Sequence, residues 1–222
     1  MKKLSTILLI LLGLSAWSQK ARTQYGEYGI GLSTLNMSSD ISDAQSVNSI
    51  FKEMRPQLTV FGKYHLNDWF GMGAEMSYGL LYANDANHSN FDRGLEVSTN
   101  LFHSNAFMEA HLIRFGKYRL ERKFSLYLKA GAGIAVWDPQ VNVPDQIDED
   151  IELYEGAYSG MSYFGGFGTK FRTSYKSVLT IEARFHNSGG NTLDGFIDTS
   201  APAPDDNDTF WGVLFSYSIL VF

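Results

Sequence analysis

The sequence predicts an all-β chain: an eight-stranded antiparallel up-and-down transmembrane β-barrel with short periplasmic turns and long extracellular loops. Three observations carry that expectation. Eight stretches alternate apolar with polar or small residues, the connections between them alternate short and long, and the chain ends on the most regular stretch of all, "DTFWGVLFSYSILVF" (208–222). There Trp211, Val213, Phe215, Tyr217, Ile219 and Val221 share one face while Gly212, Ser216 and Ser218 share the other, the period of a strand. A free terminal strand would leave unpaired backbone groups that invite another chain, so it needs a partner, and pairing it with the first strand closes a barrel.

Composition agrees. A chain of 222 residues with 21 Gly, 5 Pro and 14% aromatic residues suits one β-rich domain. The absence of cysteine excludes disulfides, a thiolate nucleophile, a cysteine-based zinc site and a lipidated lipobox. A formal net charge of −6 without a basic face argues against nucleic acid as a partner.

The opening "MKKLSTILLILLGLSAWSQ" has a basic start at Lys2 and Lys3, an apolar run from Leu4 to Leu14, and Ala16 and Ser18 placed three and one residues before a cut at Gln19. This is the pattern of a signal peptide over 1–18, exported through the Sec pathway and followed by an outer-membrane barrel domain over 19–222. No later run approaches the length of a membrane helix, so strands must make any membrane span.

The eight stretches fall near 25–36, 56–66, 69–83, 94–115, 125–137, 160–173, 178–187 and 209–222. Each is long enough for a membrane strand of about 9–11 residues. In the third, Met72, Ala74 and Met76 share a face, and in the fourth Met108, Ala110 and Leu112 do. In the fifth, Leu128, Ala130, Ala132, Ile134 and Val136 alternate with Tyr127, Lys129, Gly131 and Gly133. The sixth aligns Tyr163, Phe167 and Phe171, and the seventh alternates Leu179, Ile181, Ala183 and Phe185 with Thr180, Glu182, Arg184 and His186.

Parity alone fits a soluble lipocalin-like barrel with an apolar lumen equally well. The connections decide between them. "LND", "GKYRLERK" and "YKS" join strands two to three, four to five and six to seven, while 37–55, 84–93, 138–159 and 188–208 are long, so short turns lie at one end and long loops at the other. Pro139, Pro144, Pro202 and Pro204 fall in long loops and Pro56 at a strand start, where no ladder donor is lost.

The apolar parity then faces lipid. The lumenal set comprises Glu27, Lys63, His65, Glu75, Glu109, His111, Lys129, Lys170, Arg172, Glu182 and Arg184. Eight strands leave a lumen just wide enough to be filled by side chains, so these mixed charges are expected to pair into a plug. Tyr28, Tyr64, Phe70, Tyr78 and Trp211 supply an aromatic girdle. Trp69, Trp137 and Phe222 fall on the lumenal parity, which leads us to expect bulges or a shifted register near the strand ends.

The loops are asymmetric in charge. From Asp138 to Glu155 there are seven carboxylates and no Lys or Arg, and the last loop carries Asp194, Asp198, Asp205, Asp206 and Asp208. The turn at 117–123 instead holds Lys117, Arg119, Arg122 and Lys123 against Glu121, a candidate contact for an acidic periplasmic partner, or else a solvated turn.

Chemistry-bearing motifs are sparse. "DQIDEDIE" (145–152) and "DDND" (205–208) are rich in carboxylates but lack the calcium-loop glycine and spacing. His103–Ser104, with His88 and His186, lacks a serine elbow, triad spacing or zinc motif. "YGIGLS" and "GAGIAV" open no helix and read as strand glycines. We therefore expect no catalytic, cofactor-binding or metal-binding residues and no enzymatic activity.

Three stretches resemble a known family. "RPQLTVFGKYHLNDWFGMGAEMSYGLLYAND" (55–85), "NLFHSNAFMEAHLIRF" (100–115) and "YLKAGAGIAVWDPQ" (127–140) are similar to the PorG-like barrels of bacteria with type IX secretion, through Arg55-Pro56, Tyr64, Asn67, Tyr78-Gly79, Glu109, Tyr127, Gly131 and Pro139-Gln140 in order. That resemblance implies a structural, anchoring protein of the Gram-negative outer membrane. Its partners would be outer-membrane lipid and the periplasmic ring or lipoprotein components of the secretion machine. Two other classes stand beside it: a small surface barrel acting as anchor or adhesin, and a lipid-modifying barrel enzyme.

Overall fold

The computed structural model of the chain describes residues 24–39, 42, 46–88, 94–144, 151–154, 156–190, 192–198 and 208–222. The expected signal peptide over 1–18 lies outside the described residues. The elements are β1 (Tyr25–Ser38), α1 (Val47–Glu53), β2 (Arg55–His65), β3 (Phe70–Asn84), a 3-10 turn (Asp85–Asn87), β4 (Glu96–His111), β5 (Phe124–Asn142), β6 (Ile151–Leu153), β7 (Tyr158–Arg172), β8 (Ser177–Asn187), β9 (Phe196–Asp198) and β10 (Thr209–Val221).

Eight of the strands close a barrel in the order β1-β10-β8-β7-β5-β4-β3-β2, every neighbour antiparallel. The terminal strand does pair with the first, Tyr28 standing opposite Ile219 and Leu32 opposite Phe215. The edge that β10 would have exposed is gone.

Burial inverts the order of a soluble protein. Tyr28, Leu32, Met76, Leu128, Ile134, Met161, Phe167, Phe185 and Phe215 are exposed around the outside, while Glu27, Glu75, Glu109, Lys129, Lys170 and Glu182 are buried within. An apolar belt of this extent calls for hydrocarbon around it, which the lipocalin alternative cannot supply.

Both ends of the lumen are closed by apolar side chains. At the long-loop end Leu35, Leu81, Leu95, Leu101, Trp137 and Phe210 pack with Leu193 and Phe196, which the segment before β10 folds back over the opening. Backbone groups tie that segment down: Thr99 Oγ1 donates to the Leu193 carbonyl at 2.8 Å and Trp137 Nε1 to the Thr192 carbonyl at 3.1 Å. At the short-turn end Tyr25, Phe115, Val178 and Leu220 form a second plug with Phe222 against it.

These plugs correct one expectation. Trp137 and Phe222 keep the lumenal parity because they fill the two mouths, and every barrel ladder holds a single register with no bulge. Trp69 is exposed in the turn between β2 and β3.

Other differences lie where strands outrun the alternation pattern. β5 continues to Asn142, so Pro139 stands opposite Thr99 within a strand rather than in a loop. The ladder to β7 stops at Trp137, and among the described residues no strand pairs with that side of β5 beyond it, so the missing amide of Pro139 breaks no ladder bond. The connection after β4 runs over 112–123, longer than expected, with Leu112 N still bonded to the Leu126 carbonyl. Two of the long loops also contribute β6 and β9, which pair outside the barrel. Helix α1 forms because Ser46 and Ser49 cap it reciprocally, Ser49 N donating to Ser46 Oγ and Ser46 N to Ser49 Oγ.

Candidate functional site

Two clusters of buried charge fill the lumen. In the first, near the short-turn end, Lys63 of β2 lies 2.9 Å from Glu109 of β4 and 3.6 Å from Glu27 of β1, while Lys170 of β7 lies 2.9 Å from Glu27 and 2.5 Å from Glu109. Two cations thus alternate with two carboxylates. Ser218 of β10 donates to Glu27 at 2.8 Å, and His65 Nε2 meets the same carboxylate at 2.7 Å.

The second cluster repeats this stoichiometry. Lys129 of β5 contacts Glu75 of β3 at 2.7 Å and Glu182 of β8 at 3.2 Å. Arg184 of β8 holds Glu75 with two parallel bonds of 3.1 Å and reaches Glu182 through its Nε. Tyr127 of β5 joins the clusters, its hydroxyl donating to Glu182 and its ring lying 5.3 Å from the Lys170 ammonium. Four carboxylates (Glu27, Glu75, Glu109, Glu182) therefore face four cations (Lys63, Lys129, Lys170, Arg184) with no net charge. That balance makes burial tolerable, since a lone buried ion is strongly destabilising.

Arg172 was expected in this network and sits below it. Its guanidinium donates to the Gly116 and Tyr175 carbonyls and lies over the Phe115 ring at 4.5 Å, so it braces the turn-end plug.

Above the second cluster lies a layer of which the alternation marks only His186. Gln57 Nε2 meets His103 Nε2 at 2.7 Å, Asn105 Nδ2 meets His103 Nδ1 at 2.8 Å, and the His186 ring is stacked between Phe164 and Phe210. Ser104 and His103 point to opposite faces of β4, and His103 is buried in the lumen. The two therefore cannot act together on a lipid substrate.

Among the described residues one trio has metal-ligand chemistry. Donor atoms of His65, Glu109 and His111, all buried, lie within 4.8 Å of one another. The charges around them speak against an ion there: Lys170 Nζ already contacts Glu109 Oε1 at 2.5 Å, and a divalent cation would unbalance a neutral, closed compartment. His111 Nδ1 is also engaged, with Ser125 Oγ at 2.9 Å.

The basic turn lies outside this interior. Arg119, Arg122 and Lys123 are exposed and Lys117 is half-buried, its ammonium 5.4 Å from the Phe222 ring. Arg119 pairs with Asp68 at 3.4 Å. Of the acidic segments, 145–150 and 205–207 lie outside the described residues; Asp208 is buried and accepts from Leu193 N at 2.8 Å.

Comparison with known proteins agrees with this architecture. No curated protein sequence matches the chain. Among solved structures, Neisserial surface protein A is similar over 88% of this chain and 96% of its own, at 10% identity and a TM-score of 0.50. Ail of Yersinia pestis, in complex with the heparin analogue sucrose octasulfate, is similar over 88% of this chain and 99% of its own (13% identity, TM-score 0.46). OprG from Pseudomonas aeruginosa is similar over 89% and 95% (9% identity, TM-score 0.47). At such identities the likeness concerns the fold alone. The family model described as outer membrane protein beta-barrel domain matches residues 5–218, nearly the whole sequence, and the chain belongs to that family.

Proposed function

We propose that this barrel is a non-enzymatic structural component of the Gram-negative outer membrane, a PorG-like attachment point for the periplasmic part of a type IX secretion machine. The observation that carries the reading is the sealed lumen. A barrel filled by a neutral charge network and plugged at both mouths offers neither a conduit nor a substrate cleft, so its work falls to its outer surfaces.

Of those surfaces, the short-turn end carries Lys117, Arg119, Arg122 and Lys123, and in ordinary barrel topology that end faces the periplasm. An acidic rim on a ring or lipoprotein subunit would be drawn there, mainly through orientation and association rate. Exposed pairs contribute about 0.2–1 kcal/mol each, so the test replaces all four with Gln. We expect a barrel as abundant as wild type, reduced copurification of the periplasmic complex and reduced export of a type IX cargo. Unchanged copurification and export at normal abundance would overturn the attachment role. A second reading, a surface anchor or adhesin, draws on the carboxylate-rich long loops, and export that persists on deletion of the protein would favour it.

A further inference from the structure

Between the turn that follows β2 and the turn that follows β4 lies a recess of about 370 Å³ lined by Trp69, Leu112, Ile113, Arg114, Arg119 and Arg122. Its composition is split, with two aliphatic side chains and an indole on one hand and three guanidiniums on the other. Its position explains the split. Met108 and Ala110 lie on the lipid-facing parity of β4, Leu112 continues that parity just past the end of the strand, and Arg114 comes two residues later, where the apolar belt ends.

The recess has a fixed frame. His111 N donates to the Trp69 carbonyl at 2.7 Å and Phe115 N to the Asp68 carbonyl at 3.1 Å, which clamps the two turns together. The Arg114 guanidinium lies 4.9 Å above the Trp69 ring, which keeps it at the rim. Asp68 offsets Arg119 at 3.4 Å, and among the described residues no carboxylate forms a salt bridge to Arg114 or Arg122.

We propose that this recess binds the phosphate headgroup of an anionic glycerophospholipid in the leaflet adjoining the short-turn end. The guanidinium fork matches phosphate oxygens. Leu112, Trp69 and the exposed Phe70 continue into the lipid-facing belt along which the acyl chains run. A soluble acidic protein would satisfy the cations but leave those apolar groups unused, which is why a lipid is the better occupant. The site goes beyond the attachment role and shares Arg119 and Arg122 with it: a bound lipid holds those two guanidiniums at the membrane and leaves Lys117, beside Phe222 on the axial side, and Lys123 to the periplasmic partner.

The test is lipid retention by the purified full-length barrel, measured by native mass spectrometry after exchange into mixed micelles of phosphatidylglycerol and phosphatidylcholine. Wild type should keep phosphatidylglycerol selectively. The Arg114→Gln, Arg119→Gln, Arg122→Gln triple variant should lose that selectivity by about 30-fold, while its heat-modifiable gel migration shows an intact barrel. Lys176→Gln, on another turn at the same end, should bind as wild type does. Equal retention by the triple variant, equal loss in Lys176→Gln, or no preference for the anionic lipid in wild type would each overturn the site. A triple variant that keeps its lipid yet loses the periplasmic complex would assign the guanidiniums to a protein partner instead.

Discussion

Tyr127 on β5 donates its hydroxyl proton to Glu182 on β8, and through this bond the two charge clusters of the lumen meet. The aromatic ring lies against the ammonium of Lys170 in the first cluster while the hydroxyl belongs to the second. A single side chain thereby makes one continuous polar interior out of two.

Tyr127→Phe keeps the ring and removes only that donor. Glu182 would retain Lys129 and Arg184 as partners, so the expected loss is about 1–3 kcal/mol, the cost of one buried hydrogen bond to a charged group. Urea unfolding in lipid vesicles measures it. Stability equal to wild type would show that the bond contributes nothing.

Glu75 and Lys129 provide a charge-reversal cycle. Glu75→Lys places a third cation among Lys129 and Arg184 and should cost roughly 3–5 kcal/mol, or prevent folding altogether. Adding Lys129→Glu restores the local balance and should recover part of that loss, a coupling read from the double-mutant cycle. No recovery would mean that position and packing, rather than charge, govern this cluster.

Two glycines of β7 separate lumenal from lipid-facing crowding. A Cβ at Gly168 would stand 2.6 Å from the Tyr127 hydroxyl and 2.8 Å from the Ile181 carbonyl, whereas one at Gly165 meets nothing within 4 Å. Gly168→Ala should therefore destabilise by about 1–3 kcal/mol and Gly165→Ala hardly at all, compared by the same unfolding assay. Equal effects would contradict the tight fit of the lumen.

In planar bilayers the protein should show no steady conductance. Trp137→Ala should stay silent too, because removing one mouth residue leaves both charge clusters in place beneath it. Long, stable openings in wild type would refute a filled lumen.

Much of the barrel was legible because alternation is a local property: each inward Glu or Lys announces its face through its own neighbours. Which charges meet is not local. Glu75 and Arg184 are 109 residues apart and touch only across the closed lumen, so parity marked them as inward without pairing them. Trp137 and Phe222 misled because an aromatic at a strand end suits the girdle as well as a plug, and only the segment carrying Leu193 and Phe196 decides for Trp137. Arg172 shares the parity of Lys170 but sits one step nearer the turn, where carbonyls replace carboxylates. Alternation cannot reveal the recess at Arg114, because its parts come from two turns that only the clamp between them brings together.

Among the described residues the contact between Ser218 and Glu27 is the longest-range side-chain hydrogen bond of the lumen, spanning 191 residues from the last strand to the first. Glu27 takes its remaining partners from β2 and β7, so its carboxylate is fully compensated only once β2, β7 and β10 have all arrived. A half-wrapped sheet would hold this anion incompletely solvated against the membrane interior, a state uphill of both the unfolded chain and the closed barrel. Insertion is therefore expected to proceed as one cooperative event, with the interior electrostatics acting as the latch that rejects partly assembled forms.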